Sequence, residues 1–82
     1  MENLPLIIEA LLFSSSRPLS EKEILSVFDQ RSPPSLSEIR EALKLIEEKY
    51  LNNSIELVKV ASGYRLRIRQ EYSSWVAKLW EA

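Results

Sequence analysis

The nearest thing to a nucleophile in this chain is the run Ser14-Ser15-Ser16. A serine hydroxyl attacks only when a base takes its proton, and the sequence holds no histidine and no cysteine. The run reads instead as a helix terminus and turn. Glu47-Glu48 offers paired carboxylates, but neighbouring positions on a helix project in different directions, so the pair reads as solvation. Lacking cysteine and histidine, the chain has no disulfide staples, thiolate nucleophiles or Cys/His zinc sites. A single glycine, Gly63, cannot build a glycine-rich phosphate loop. No metal, cofactor or catalytic role is expected, and the protein reads as a non-enzyme.

One charged grouping remains. Arg65, Arg67 and Arg69 alternate with Tyr64, Leu66 and Ile68, so in a strand they share one face. They could form the solvated face of an edge strand, where cations deter edge-to-edge pairing. They could instead pair or stack at a protein interface, or touch a phosphate backbone.

Several elements would position these residues. With 82 residues the chain forms one domain, which buries roughly 60–65% of its unfolded surface. An apolar fraction of 45% and a charged fraction of 28% are those of a globular domain. Without staples, the core must hold the chain unaided or be completed by another subunit. The net charge of −1 gives no whole-chain pull toward nucleic acid or an anionic membrane. The apolar run Leu4–Phe13 is ten residues long and interrupted by Glu9, where a spanning helix needs about 20. The start Met1-Glu2-Asn3 has no cationic leader. These features predict a cytoplasmic protein with no membrane contact.

Leu4, Ile7, Ile8, Leu11 and Leu12 make one stripe of a first helix from about Pro5 to Ser14. Leu6, Ala10 and Phe13 make a second apolar side, and such a helix is expected to be buried all round. Arg17-Pro18-Leu19 reads as extended. Ser20-Glu21-Lys22-Glu23 is a capping box that opens a second helix, with Leu19 and Ile24 as its hydrophobic staple. This helix should run through Phe28 and fade near Asp29–Arg31. After the Ser32-Pro33-Pro34 loop, a second capping box, Ser35-Leu36-Ser37-Glu38, opens the longest helix, to about Leu51. Leu36, Ile39, Leu43, Ile46 and Tyr50 form its core seam. Asn52 and Asn53 accept the left-handed conformation that ends it. Residues 55–69 read as a hairpin around Ser62-Gly63, with a turn of two residues or of three with a bulge. Its first strand carries Ile55 and Leu57 on one face and Val58 and Val60 on the other, beside the arginines. A last helix, from about Tyr72 to the chain end, bears Tyr72, Trp75, Val76, Leu79 and Trp80 on one stripe.

Helix, extended piece, helix, helix, hairpin, helix is the order of an α+β winged helix-turn-helix domain. It consists of three helices and a wing sheet of two or three strands, plus an additional C-terminal helix. Such domains often read DNA with the third helix. Here, Glu38, Glu41, Glu47 and Glu48 face only three bases, Arg40, Lys44 and Lys49, and Ala61-Ser62-Gly63 at the wing tip carries no cation. Counterion release needs several uncompensated cations, so DNA binding by this domain alone is not expected. A DNA-binding transcriptional regulator is the alternative reading.

Apolar surplus is the feature that needs explaining. The first helix has two apolar sides, strand one has apolar residues on both faces, and the last helix carries both tryptophans. Either the terminal helix folds back over the rest or a partner covers the surplus, most simply a second copy. The candidate interface residues are Leu6, Ala10, Phe13, Val58, Val60, Trp75, Leu79 and Trp80.

The segments LIIEALLFSSSRPLSEKEIL and IELVKVASGYRLRIRQEY, followed by Trp75, resemble the N-terminal region of the bacterial segregation and condensation protein B family. The resemblance covers nearly the whole chain. It implies a non-enzymatic subunit of the bacterial condensin complex, acting in chromosome condensation and partition at the nucleoid. It also implies a homodimer that binds the kleisin subunit, segregation and condensation protein A, and through it the SMC ATPase. Family members carry two winged-helix domains, so residues 1–82 are expected to be the N-terminal one, with the second absent here.

Overall fold

The computed structural model describes residues 3–81. Its elements are α1 (Leu4–Ser14), α2 (Glu21–Ser26), α3 (Leu36–Lys49), β1 (Ile55–Val60), β2 (Gly63–Ile68), a 3-10 turn (Gln70–Tyr72) and α4 (Ser73–Glu81). This is an α+β winged helix with an added C-terminal helix. The expected extension of the last helix to Ala82 lies outside the described residues.

Two helix starts follow directly from local chemistry. Glu23 N–H donates to Ser20 Oγ and Ser20 N–H donates to Glu23 Oε1, both at 3.1 Å. Ser35 and Glu38 repeat the exchange at 3.0 and 2.9 Å. Each box satisfies two backbone donors that a helix start would otherwise leave open. α1 starts differently, after Asn3 at φ 63° with no side-chain cap and with Pro5 in its first turn.

Helix ends depart more from expectation. α2 stops at Ser26 and does not reach Phe28. Gln30 Nε2 donates to the carbonyls of Leu25 and Phe28, and the Arg31 backbone and guanidinium both donate to the Asp29 carboxylate. Side chains thus meet groups that another helical turn would have used. α3 ends at Lys49, short of Leu51, and Asn52 at φ 67° turns the chain away.

The strands pair antiparallel, with Ile55 opposite Ile68, Leu57 opposite Leu66, Val58 opposite Arg65 and Val60 opposite Gly63. The turn is therefore the two residues Ala61-Ser62, and Gly63 is the first residue of β2. Gly63 sits at φ 143°, and a Cβ there would lie 2.3 Å from the Leu19 carbonyl carbon and oxygen. What requires glycine is the Leu19 backbone passing beside it as well as the backbone angle. The expected third strand amounts to one bridge, in which Leu19 and Tyr64 exchange two hydrogen bonds of 2.8 Å.

The core joins Leu4, Ile8 and Leu12 of α1, Ile24 of α2, Ile39, Ala42, Leu43 and Ile46 of α3, and Leu57 of β1. Each fully buried aliphatic side chain among them contributes about 1.5–3 kcal/mol. Leu19, Tyr50, Tyr64 and Leu66 pack against its rim. Leu36, expected in the α3 seam, is exposed at the helix start, and Ala42 lies in the core instead.

One larger expectation is corrected, and one of the two alternatives for the apolar surplus is removed. α1 is not buried all round, because only its Leu4-Ile8-Leu12 side meets α3 and the sheet. Nor does the terminal helix fold back: every described residue from Gln70 onward is exposed. The Cα radius of gyration is 14.3 Å, against about 12 Å for a compact chain of this length.

Candidate protein-interaction site

α1 is held firmly on one side and bare on the other. Besides its buried stripe, Glu9 accepts hydrogen bonds from Lys49 Nζ at 2.8 and 3.1 Å and from the Tyr50 hydroxyl. These bonds, chiefly that of Lys49, hold the Glu9 carboxyl below its usual range. The lone charged residue of the helix thus ties it to the end of α3. With α1 so fixed, Leu6 is 59% and Phe13 83% exposed, and Ala10 between them is also exposed.

Phe13 continues into an open apolar groove of about 280 Å³ that runs from the end of α1 to the inner face of the hairpin. Ile55, Leu66 and Ile68 form its floor. The candidate interface residues did not include Ile55 and Ile68. The available signal was their place at the open end of the hairpin, beyond the reach of the α1 stripe. The second apolar region is α4, where Trp75 is 68%, Leu79 70% and Trp80 79% exposed. Lys78 Nζ lies 4.8 Å from the Trp75 ring centroid, a cation–π contact on the same helix. Val58 and Val60 are half-buried on the outer hairpin face.

The arginine row divides by position. Arg69 is spent within the fold: its guanidinium donates to the carbonyls of Tyr50 (2.9 Å) and Asn53 (2.6 Å) and pairs with Glu56 at 3.2 Å. From just beyond β2 it thereby satisfies the Tyr50 carbonyl at the end of α3, 19 residues away in sequence, and the Asn53 carbonyl in the following turn. Arg67 pairs with Glu56 at 3.2 Å across the strands. Arg65 is exposed and makes no ion pair among the described residues. Of the three, Arg67 lines the groove beside Phe13 of α1, whereas Arg65 and Arg69 do not line it.

The α3 cations are similarly committed. Arg40 grips Glu21 with two bonds of 2.9 and 3.0 Å, and Lys49 holds Glu9, while Lys44 has no ion-pair partner among the described residues. A phosphate backbone would meet a helix that carries four carboxylates and whose other two cations are already paired. Among the described residues there is no cluster of three metal-ligating side chains and no helix long and apolar enough to cross a membrane.

Known proteins agree with this fold. The family model of the segregation and condensation complex subunit ScpB matches residues 6–82. A segregation and condensation protein B homolog of Coxiella burnetii is 42% identical over 79 residues, covering 96% of this chain and 38% of that protein. Segregation and condensation protein B of Syntrophotalea carbinolica is 36% identical over 78 residues, covering 89% of this chain and 36% of that protein. The chain thus spans under two-fifths of the length of these relatives. A solved dimer of a ScpB N-terminal domain complexed with an ScpA peptide superposes with a TM-score of 0.79 at 23% identity, covering 96% of this chain and 93% of that one. At that identity the likeness speaks for the winged-helix fold. With nearly the whole chain matched by the family model and a relative at 42% identity, this protein belongs to the ScpB family of segregation and condensation complex subunits.

Proposed function

We propose that this chain is a non-enzymatic subunit of the bacterial SMC–kleisin condensin complex, acting in chromosome condensation and segregation in the cytoplasm, at the nucleoid. In this reading it is the N-terminal of two winged-helix domains. It homodimerises and contacts the kleisin, segregation and condensation protein A, and through it the SMC ATPase. The observation that carries the reading is the outer face of α1, Leu6, Ala10 and Phe13, bare on a helix whose other side is locked into the core. Aromatic enrichment and few charges are the composition of an interface core. Family membership and the solved ScpB dimer support the same assignment.

Sedimentation and light scattering at micromolar concentration test the dimer. The wild-type chain should be dimeric, and Phe13→Glu monomeric with its fold intact. A wild-type monomer whose Phe13→Glu variant is equally stable and soluble would remove the basis of this reading. Co-purification with the kleisin tests the partner. Duplex binding at physiological salt, without the kleisin, would favour a DNA reader instead.

A further inference from the structure

β1 has one edge that nothing among the described residues uses. Both hydrogen bonds of the Leu19 bridge go to Tyr64, so the Tyr64 N–H and C=O point away from β1. Lys59 stands opposite Tyr64, and its own N–H and C=O therefore point away from β2. With a period of two, those of Leu57 and Ile55 do the same. The Arg69 N–H bond to the Ser54 carbonyl, 2.8 Å, puts Ser54 on the paired side and agrees with this parity. Among the described residues nothing pairs with the outward groups.

This edge is more than bare backbone. It borders an open groove of about 250 Å³ whose walls include Lys44 and Glu47 of α3 and Leu57, Val58 and Lys59 of β1. Neither Lys44 nor Lys59 has an ion-pair partner among the described residues. On the outer face, Val58 and Val60 are half-buried with no core beneath them. A strand laid beside β1 would set alternate side chains against these two environments. Positions level with Lys59 would face the groove that Lys44 and Lys59 line, where Lys59 Nζ lies 5.7 Å from the Tyr64 ring centroid, and positions level with Val58 and Val60 would face apolar surface.

We propose that the open edge of β1 receives an extended segment of the kleisin as an added strand, with an acidic side chain toward Lys44 and Lys59 and apolar side chains over Val58 and Val60. This rests on the reading that the chain binds a kleisin, and it names the surface and the kind of segment. Main-chain bonds supply affinity in such augmentation, and the alternating pockets supply specificity. The α1 face stays free for the second copy.

Hydrogen–deuterium exchange of this chain with and without intact segregation and condensation protein A tests the assignment. The kleisin should slow exchange at the Leu57 and Lys59 amides by about tenfold or more. Lys59→Pro deletes an outward N–H but no bond of the β1–β2 ladder, and should weaken kleisin binding about tenfold. Lys44→Glu, on an exposed helical position, should weaken it too and carries the test if the proline variant loses its circular-dichroism signature. Kleisin binding that leaves the Leu57 and Lys59 amides and the Lys44→Glu affinity unchanged would overturn this inference while leaving the condensin reading in place. Absence of any kleisin binding would overturn both.

Discussion

α1 and α3 are neighbours in one core and opposites in composition. α3 puts Ile39, Ala42, Leu43 and Ile46 inside and mainly charges of both signs outside, with Leu36 and Leu45 as its exposed apolar residues. α1 buries Leu4, Ile8 and Leu12 with the same spacing, yet its far side remains apolar and uncovered. Where two helices share one core, the one whose outer face is also apolar leaves apolar surface that the described residues do not cover. Its lone carboxylate does not weaken that conclusion, because Glu9 turns toward Lys49 and Tyr50 and away from the bare face.

The sharpest way to test the contrast is to damage each side of α1 separately. Ile8→Ala should cost ~2–5 kcal/mol in denaturant unfolding, a large part of the about 4–12 kcal/mol expected for a domain of this length. Gly63→Ala should come next, at more than about 1 kcal/mol, because it combines an unfavourable φ with a clash against the Leu19 backbone. Phe13→Glu should stay within about 0.5 kcal/mol for the monomer while abolishing association. If Phe13→Glu proved as destabilising as Ile8→Ala in the monomer, the two sides of α1 would be equivalent and the contrast would fail.

The smallest effect concerns acid. Glu9 and Glu23 both have carboxyl groups lowered in the fold, Glu9 chiefly by Lys49 and Glu23, to about 2, chiefly by Arg17. A lowered folded-state value means stabilisation that is complete above the ordinary carboxylate value of 4.5 and is lost as pH falls toward 2. Unfolding midpoints should therefore drop over that window. Glu9→Gln should flatten the drop, and specifically by loosening α1 from α3. An unchanged slope in Glu9→Gln would show that the tie contributes nothing to holding α1.

Much of this was legible because it is local. Ser20 with Glu23, and Ser35 with Glu38, announce helix starts through bonds spanning three residues, and Asn52 announces an end by its tolerance of positive φ. The alternation from Tyr64 to Arg69 placed the arginines on one face correctly. Illegible features depend on distant partners. Nothing around Gly63 reveals that Leu19 passes there, and nothing around Arg69 reveals that it serves the end of α3. The early end of α2 depends on Gln30 and Asp29 competing for the backbone, a choice that periodicity does not register. Of the candidate interface, the bare face of α1 was visible as surplus, whereas its extension over Ile55 and Ile68 needed the hairpin in place.

The projecting α4 has a hydrodynamic consequence. The molecule measures 50 × 22 × 21 Å, so even a monomer drags like a short rod. On a gel-filtration column it should elute ahead of a sphere of its mass and mimic a larger species. Elution volume alone would thus overstate the mass, and a mass measured independently of shape gives the oligomeric state without that bias.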